Sequence, residues 1–271
     1  MSTWNMHPTA SRLLKKVLGI NPQSGVRPLH DMRRLGSRWH HYQVPEHLIG
    51  PGSICYCIGA GEDISFDTEL TTIYGCKVYI FDPTPCGIDY FSKLQEYTAK
   101  GQSLIIDEGQ GHLYTYRISS GQLATIEYVP IGVWEKKTAL VFHHSERPNY
   151  ASYSTYFFSD SEKVIEAPVD RLVNLMKERG HRAIDLVKLE IEGAEYTVID
   201  TIIDDRLDIK VILVEFDEIY NSRGIRHHYR IKRYSNKLIE AGYVLVHSND
   251  CLKRTFVRKD VYAKLKALEQ E

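Results

Sequence analysis

A turn rich in chemically useful residues follows a short apolar run, SICYCI at 53–58: Gly59, Ala60, Gly61, Glu62 and Asp63. Its two glycines let the backbone turn tightly and approach a ligand closely. A dinucleotide-binding G-x-G-x-x-G turn needs a third glycine where this chain has Ile64, so close approach of a pyrophosphate is disfavoured. The two acids at the start of the next helix repel phosphate but suit an ammonium group, such as that of S-adenosylmethionine. We predict that these five residues bind a cofactor.

A further acid, Asp82, follows the next apolar run, KVYIF at 77–81, and lies 21 residues beyond Gly61. A carboxylate at this place in an α/β sheet accepts hydrogen bonds from both hydroxyl groups of a ribose. NAD and S-adenosylmethionine both carry a ribose, so the spacing predicts a nucleoside cofactor without choosing between them. The alternative is that the turn and the acid only cap helices.

Charged residues also end a later apolar strand, AIDLVKLEI at 183–191. Side chains at i, i+2 and i+4 of a strand share a face, so Lys188, Glu190 and Glu192 are predicted to point the same way. The middle strands of a parallel sheet are normally apolar on both faces, and ligands bind beyond their carboxyl ends. We therefore predict a catalytic cluster. The alternative is a solvated strand end with a structural Lys–Glu pair.

The elements that position these residues alternate between strand and helix. Strands at 53–58 and 77–81 are followed by helical patterns at 64–75 and 88–101, and the alternation returns over 168–242. This order predicts a parallel sheet with right-handed crossovers. Between these regions, residues 102–160 contain short β-like pieces among glycines, which give no clear order of elements.

Two further elements are predicted in the second half of the chain. A helix is expected over 168–180, with Pro168 near its start and Gly180 at its end. No helical pattern separates the last two strands, which lie within 243–258. They are predicted to form a hairpin, which places one antiparallel strand in an otherwise parallel sheet.

The length of 271 residues predicts one main domain with additions. Residues 1–45 carry four prolines and little periodicity, so we predict a basic N-terminal arm there. The main domain is predicted to span 46–258, and residues 259–271 are predicted to form a C-terminal helical tail.

Composition excludes several classes of protein. A hydrophobic fraction of 43% and a charged fraction of 25% are typical of a globular chain, and the net charge of −1 gives no overall field that attracts nucleic acid. No apolar stretch is long enough to span a membrane, and the first residues lack the apolar region of a signal peptide, so we expect a cytoplasmic protein. The five cysteines form no CxxC pair, which favours reduced, buried thiols.

Four blocks of the chain, taken in order, resemble the signature blocks of the FkbM family of S-adenosylmethionine-dependent methyltransferases: CIGAGEDISFDTEL, KVYIFDPTP, VDRLVNLMKERGHRAIDLVKLEIEGAEYTVID and KVILVEFDE. The third block is the most specific, because it has the family's pattern at Lys188, Glu190, Glu192, Gly193, Ala194 and Glu195. The resemblance covers about residues 42–258, with one departure: the family usually has Asp where this chain has Glu190.

The resemblance implies an α/β class I methyltransferase fold, which is Rossmann-like: a mostly parallel seven-stranded sheet with an antiparallel last strand and helices on both faces. It also implies the cofactor S-adenosylmethionine and O-methylation of a hydroxyl on a sugar, glycan, glycolipid or secondary metabolite. By the same resemblance, Gly59 and Gly61 line the methionine moiety, Asp82 holds the ribose with Pro83 beside it, and Ile131 and Gly132 lie next to the adenine.

Methyl transfer needs an aligned acceptor oxygen and a group that removes its proton, because the sulfonium is already a good leaving group. The candidates for this base are Glu190, Glu192 and His247, and Lys188 is expected to orient the acids or the acceptor. His247 ends the strand GYVLVHS, where the alternative is a structural histidine.

A metal ion would serve the same end by acidifying the hydroxyl. Mg²⁺ held by Glu190 or Glu192 with Asp217 or Asp250 is therefore a further alternative, because oxygen ligands suit this ion.

Other functions stay open at this point. A methyltransferase-like fold without turnover, acting as a binding or interaction module, is the main alternative, and a nucleotide-sugar oxidoreductase is a more distant one. The charge is also uneven: residues 1–45 hold seven Lys or Arg against Asp31 alone, whereas residues 185–218 hold eleven acids and three bases. The basic arm is predicted to be solvated surface, to pack on the acidic domain, or to contact an anionic acceptor or a membrane surface.

Overall fold

The computed structural model describes residues 21–144, 153–154, 164–216, 226–249 and 252–270. Within these residues the strands, in chain order, are β1 (Met32–Leu35), β2 (Tyr42–Pro45), β3 (Ile54–Ile58), β4 (Lys77–Phe81), β5 (Ile105–Asp107), β6 (Leu113–Thr115), β7 (Ile126–Val129), β8 (Gly132–Val133), β9 (Thr138–His144), β10 (Tyr153–Ser154), β11 (Val164–Asp170), β12 (Ala183–Leu189), β13 (Asp208–Glu215), β14 (Tyr243–Ser248) and β15 (Lys253–Arg258). The helices are α1 (Ser65–Tyr74), α2 (Pro85–Ala99), α3 (Ser120–Leu123), α4 (Leu172–Glu178), α5 (Glu195–Asp204), α6 (Arg226–Glu240) and α7 (Lys259–Leu268), and a 3-10 turn covers Glu46–Leu48.

Seven strands form the largest sheet of the described chain, in the order β14, β15, β13, β12, β3, β4, β7. Strand β15 runs antiparallel to both of its neighbours, and the other neighbouring pairs run parallel. The predicted hairpin at the end of the chain is therefore present. The strand order reverses at β3, because the chain continues to β4 on one side and later returns to β12 on the other. Such a reversal is where open α/β sheets bind their ligands.

Alternating residues of the central strands face two separate apolar cores, one on each side of the sheet. Cys57 and Leu213 belong to the first core, together with residues of α1, α2 and α7. Val187 and Ile212 belong to the second, together with residues of α4, α5 and α6. Helices therefore cover both faces of the sheet, and burial on both sides explains why each central strand reads as a continuous apolar run.

Part of the segment that was predicted as an arm is built into the first core. Strands β1 and β2 pair antiparallel from Met32 opposite Pro45 to Leu35 opposite Tyr42. Leu35, Tyr42 and Val44 are all at most 2% exposed and belong to the same core as α1. The division of the chain at residue 45 stays a prediction, but residues 32–45 pack as part of the domain.

The prediction of a helix over 168–180 is wrong at its start. Residues 164–170 form β11, in which Pro168 lies opposite Ala139 of β9, and the helix begins only at Leu172. The sequence does not reveal this strand, because its pairing partners β8 and β9 lie in the region that gave no clear order of elements. The resulting four-stranded sheet, β10-β9-β11-β8, stands beside the carboxyl ends of the main strands and forms one wall of the cavity described below.

The packing of the N-terminal hairpin predicts a stability effect. Leu35→Ala removes a side chain that is 1% exposed, so we expect the free energy of unfolding to fall by about 2–5 kcal/mol in urea denaturation. Leu113→Ala is the matched control, because Leu113 is 65% exposed and its truncation is expected to change stability by no more than about 0.5 kcal/mol. Equal, small losses in both variants would show that the hairpin is a loose arm.

Candidate active site

A cavity of about 850 Å³ opens beyond the carboxyl ends of β3, β4, β12 and β13. Most of the residues predicted from the sequence line it: Gly59, Ala60, Gly61, Glu62, Asp63, Asp82, Pro83, Gly132, Glu190 and Glu192. Three predicted residues, Ile131, Lys188 and His247, do not line it. The structure thus brings the glycine turn and the acids of the third sequence block into one space.

The glycine turn requires a glycine at position 59. Gly59 has φ +92°, and a Cβ there would lie 1.8 Å from the backbone oxygen of Glu190. Gly61 also has a positive φ, +52°, but a Cβ there would meet nothing within 4 Å. The first glycine therefore lets β3 pass close to the end of β12, and the second leaves open space at the edge of the cavity.

The Asp82 carboxylate holds this turn in place. Its Oδ2 accepts the backbone N–H groups of Ala60 and Gly61 at 2.8 and 3.0 Å. Its Oδ1 accepts the backbone N–H of Thr84 at 2.8 Å and the Thr84 hydroxyl at 2.6 Å. These four bonds use the main acceptor positions of a carboxylate. A ligand hydroxyl would therefore have to replace the bond from the Thr84 hydroxyl, which is the one that can rotate away.

The two acids of the glycine turn differ in their surroundings. Asp63 Oδ1 accepts the backbone N–H of Ser65 at 2.8 Å at the start of α1, and its Oδ2 accepts the Ser37 hydroxyl at 2.7 Å. Glu62 is exposed and lines the cavity. Asp63 thus accepts the first N–H group of α1 and tethers the N-terminal hairpin, whereas the Glu62 side chain is exposed at the cavity.

Lys188 lies beneath the cavity and forms a buried ion pair. It is 1% exposed, and its Nζ lies 3.2 Å from Oδ2 of the fully buried Asp67 and 3.6 Å from Oε2 of Glu190. Burial acts to lower the pKa of Lys188, but the charges of Asp67 and Glu190 raise it above its ordinary value. The ammonium group therefore stays charged and supports Glu190 from below.

Glu190 follows directly after β12, and its carboxylate contacts side chains from separate parts of the chain. His40 Nδ1 lies 2.9 Å from its Oε1, and the Tyr42 hydroxyl donates to its Oε2 at 3.1 Å. Burial acts to raise the pKa of Glu190, but Lys253, Lys188 and His40 together hold it well below its usual range. Glu190 is thus ionised near neutral pH.

A second carboxylate, Glu215, stands beside Glu190, and the sequence reasoning missed it. Its Oε2 lies 2.8 Å from Lys253 Nζ and 3.5 Å from the Tyr42 hydroxyl. Burial and the charge of Glu190 raise the pKa of Glu215 to about 8. Its position in the sequence could have predicted it as a site residue. Glu215 ends the strand next to β12, and the carboxyl ends of neighbouring parallel strands meet at one edge of the sheet.

Two further acids of the third sequence block, Glu192 and Glu195, lie in different surroundings. Glu192 has left the strand, with φ +53°, and lines the cavity, while its backbone oxygen accepts the Ser154 hydroxyl at 2.8 Å. Glu195 is fully buried, and its Oε1 accepts the N–H groups of Ile191 and Gly193 at 2.9 and 3.2 Å. Burial raises the pKa of Glu195 to about 8. Glu195 therefore shapes the turn after β12, and Glu192 does not share a face with Lys188 as predicted.

His247 and Ile131 are the predicted residues that lie apart from the cavity. His247 belongs to β14, an outer strand separated from β12 by β15 and β13, and Ile131 packs against the second apolar core. The basic residue that reaches the site from this side of the sheet is Lys253, the first residue of β15, whose Nζ lies 4.6 Å from the centre of the Tyr42 ring.

The described residues that line the cavity form no group that would hold a metal ion. Asp217 and Asp250, two of the predicted ligands, lie outside the described residues. Among the residues that the structure does describe, no group of three or more His, Cys, Asp or Glu is placed to hold a metal ion. The positive charge beside Glu190 is instead supplied by two ammonium groups, those of Lys188 and Lys253.

A family model for the methyltransferase FkbM domain matches residues 4–245 of the chain. The chain belongs to the FkbM methyltransferase family. This match confirms the family that the sequence blocks resemble and identifies methyl transfer as the class of reaction, with S-adenosylmethionine as the cofactor that the family uses. The described sheet, with its antiparallel β15 between β14 and β13, agrees with the class I methyltransferase fold expected for this family.

Three solved structures are similar to this FkbM protein at low sequence identity. The Methanococcus jannaschii fibrillarin pre-rRNA processing protein has 9% identity and a TM-score of 0.42 over 86% of this chain and 85% of its own. A putative rRNA methylase from Clostridium thermocellum has 9% identity and a TM-score of 0.41 over 78% and 89%. Aeropyrum pernix fibrillarin with natively bound S-adenosyl-L-methionine has 9% identity and a TM-score of 0.38 over 85% and 84%. Likenesses this distant bear on neither the acceptor nor the catalytic residues.

Two further findings concern sequence relatives and membrane-spanning helices. A search of curated protein sequences gives no match to this FkbM protein. Across the ranges that the structure describes, no helix combines the length and the apolar character needed to cross a membrane.

The buried ion pair of Lys188 and Asp67 predicts a strong and coupled stability effect. Lys188→Met leaves Asp67 charged or neutralised without a partner, so we expect a loss of about 3–5 kcal/mol in the free energy of unfolding. The double variant Lys188→Met/Asp67→Leu is expected to lose less than the sum of the single variants, which a double-mutant cycle in urea would measure.

The control for this experiment is Lys237→Met, which breaks a partly exposed pair with Asp200 at 2.6 Å. A loss of about 0.2–1 kcal/mol is expected there. Additive losses in the double variant, or a loss at Lys188 no greater than at Lys237, would mean that the pair is not coupled as the geometry indicates.

Proposed function

We propose that this FkbM protein is an S-adenosylmethionine-dependent O-methyltransferase whose acceptor is a hydroxyl group of an uncharged sugar, in a glycan or a sugar-bearing small molecule. The observation that carries the proposal is a single cavity lined both by the glycine turn, whose part of the cavity we call the cofactor end, and by Glu190 and Glu215, whose part we call the acid–base end. The cavity thus offers a cofactor end and an acid–base end within one space of about 850 Å³.

The residues at the cofactor end fit S-adenosylmethionine. Gly61 leaves open space at the turn, and Glu62 is exposed there to receive an ammonium group. Asp82 and Pro83 line the cavity where a ribose is expected, and Gly132 lines it where an adenine is expected. A Cβ at Gly132 would lie 2.9 Å from Val169 Cγ1, so a larger residue there would disturb the wall. When bound, the cofactor supplies a methyl group on a positively charged sulfur.

Aromatic side chains support a sugar as the acceptor. Trp39 lies at the cavity rim and is 57% exposed, yet its ring is fixed because Nε1 donates to the backbone oxygen of Glu108 at 3.0 Å. The Arg38 guanidinium lies 5.0 Å from the same ring. A fixed aromatic face that stays exposed suits the flat apolar face of a sugar ring, and Trp134 and Tyr90 line the same cavity.

The charge of the cavity favours an uncharged acceptor. Eight acids line it, against the lysine Lys93 and the imidazole His40: Glu62, Asp63, Asp82, Asp107, Glu108, Glu190, Glu192 and Glu215. Such a lining repels phosphate groups. We therefore propose that the acceptor is not a nucleic acid. The anionic acceptor that the basic arm allowed is not proposed to bind in this cavity. Contact between the basic arm and a membrane surface stays a prediction, because residues 1–20 lie outside the described chain.

The cofactor end predicts a selective effect of one glycine substitution. Gly59→Ala is expected to weaken S-adenosylmethionine binding at least tenfold in calorimetry, because its Cβ would collide with the backbone of Glu190. Gly109→Ala is the matched control: Gly109 also has a positive φ, +82°, but a Cβ there meets nothing within 4 Å. Equal affinities in the wild type and in Gly59→Ala would contradict the assignment of the turn.

The acid–base end predicts how methyl transfer depends on Glu190. With a panel of neutral glycans and labelled cofactor, Glu190→Gln is expected to lower kcat by about 10²–10⁴, because it removes the charge on which the proton-transfer group depends. Glu190→Asp is expected to retain more activity, because it keeps the carboxylate. Glu166→Gln, an exposed site on β11, is the control.

One outcome would contradict the role of Glu190, and another would contradict the enzymatic function. Full activity in both Glu190 variants would exclude Glu190 from the catalytic centre. A wild-type protein that binds S-adenosylmethionine but transfers no methyl group to any acceptor of the panel would support the binding module instead.

A further inference from the structure

Residues 36–41, which we call the strap, join β1 to β2 and cross the acid–base end of the cavity. Several bonds fix the strap to the surrounding elements. The N–H of Gly36 donates to Glu69 Oε2 at 2.7 Å, and the N–H of Ser37 donates to the Ser65 hydroxyl at 2.7 Å, both on α1. Lys253 Nζ donates to the backbone oxygen of Trp39 at 2.9 Å. The strap is therefore bonded both to α1 and to β15.

Two more features fix the shape of the strap itself. Glu108, in the β5–β6 connection, accepts the N–H of Arg38 through its carboxylate. Gly36 has φ +97°, and a Cβ there would lie 2.3 Å from the backbone oxygen of His40. The strap thus closes on itself only because position 36 is a glycine.

The strap presents His40 to the cavity with one ring nitrogen engaged. His40 lines the cavity, its Nδ1 lies 2.9 Å from Glu190 Oε1, and its side chain is 45% exposed. No described residue forms a hydrogen bond with its Nε2. When Nδ1–H donates to the carboxylate, Nε2 of the neutral ring carries the lone pair. This is the arrangement of a general base that a carboxylate orients.

We propose that His40 is the general base that removes the proton from the acceptor hydroxyl, and that Glu190 is the positioning residue that orients the His40 ring. This inference rests on the proposed O-methyl transfer. The general base is then a residue of the strap in the N-terminal hairpin, and not Glu190 or Glu192 of the third sequence block.

Neither carboxylate of the cluster suits this task as well. Glu190 is a weak base, because Lys253 and Lys188 hold its pKa well below the usual range. Glu215 has a raised pKa, but its Oε2 is already engaged by Lys253 at 2.8 Å. His40 combines a free ring nitrogen, access to the cavity and a carboxylate on its other nitrogen.

The proton and the electrons are accounted for in one step. The acceptor oxygen bonds to the methyl carbon while the carbon–sulfur bond breaks and leaves its electron pair on sulfur. The proton of the hydroxyl moves to Nε2 of His40, and the imidazolium is stabilised by Glu190 through Nδ1–H. His40 then releases the proton to solvent, to which its side chain is open.

The charges around His40 set the pH at which the base is available. Burial acts to lower the pKa of His40, but the hydrogen bond and charge of Glu190, with Asp63, raise it to about 8 against an opposing effect of Lys253. Glu215 and Glu108 also face this end of the cavity. Because the neutral ring is the active form, kcat/KM is expected to rise with pH through about 8 and to level off above it.

The test is the pH profile of methyl transfer in variants of the full chain. We expect His40→Gln to lower kcat about 10²–10⁴-fold and to abolish the rise near pH 8, with S-adenosylmethionine affinity unchanged. His40→Asn is a second variant in case the first is poorly folded, which a thermal melt would show. His112→Gln, at an exposed histidine in the β5–β6 connection, is the control.

Glu190→Gln provides a readout that a merely structural role would not give. Loss of its charge lowers the pKa of His40, so the rise in kcat/KM should move to lower pH while the plateau falls. A rise near pH 8 that persists in both His40 variants, or one that disappears in Glu215→Gln instead, would overturn the assignment of the base. A wild type that methylates no acceptor would overturn the proposed function, and this inference with it.

Discussion

The pairing of the buried Lys188 ammonium with Glu190 is the interaction on which the rest of the site depends. An unpaired charge at this depth would cost several kcal/mol, and Lys188 is paired with Asp67 at 3.2 Å and with Glu190 at 3.6 Å. In turn, the ionised Glu190 fixes the His40 ring through Nδ1. The backbone oxygen of the same Glu190 is what excludes a side chain at Gly59. One residue thus sets the geometry of the cofactor turn and of the acid–base group.

The fold explains why these groups meet. Strands β3, β12 and β13 are parallel neighbours in register, so Gly59, Glu190 and Glu215 leave the sheet at one edge. The antiparallel β15 begins where those strands end, which brings Lys253 to the same edge. The N-terminal hairpin then covers the space, with Tyr42 packed edge-on against Phe66 at 5.2 Å between ring centres. Five separate parts of the chain therefore build a site with one buried charge network.

Sequence reasoning found the parts of the site that depend on local pattern. The glycine turn, Asp82 and Glu190 each follow an apolar run, and such a run marks a strand end without knowledge of its neighbours. His40 carries no such signal: its partner lies 150 residues away, and β1 and β2 have four residues each, too few for a clear alternation. Lys253 reads as an ordinary charged residue in a hairpin, because its burial depends on the antiparallel insertion of β15.

The most direct test of the pairing between Glu190 and His40 is the titration of His40 by NMR in protein with labelled histidine. We expect a pKa of about 8 for His40 in the wild type, because the ionised Glu190 stabilises the imidazolium. In Glu190→Gln the pKa should fall below the ordinary value of 6.5, because burial, the largest influence on His40, then outweighs the charge of Asp63. A His40 that titrates at 6.5 or lower in the wild type, or whose pKa is unchanged in Glu190→Gln, would contradict the central claim.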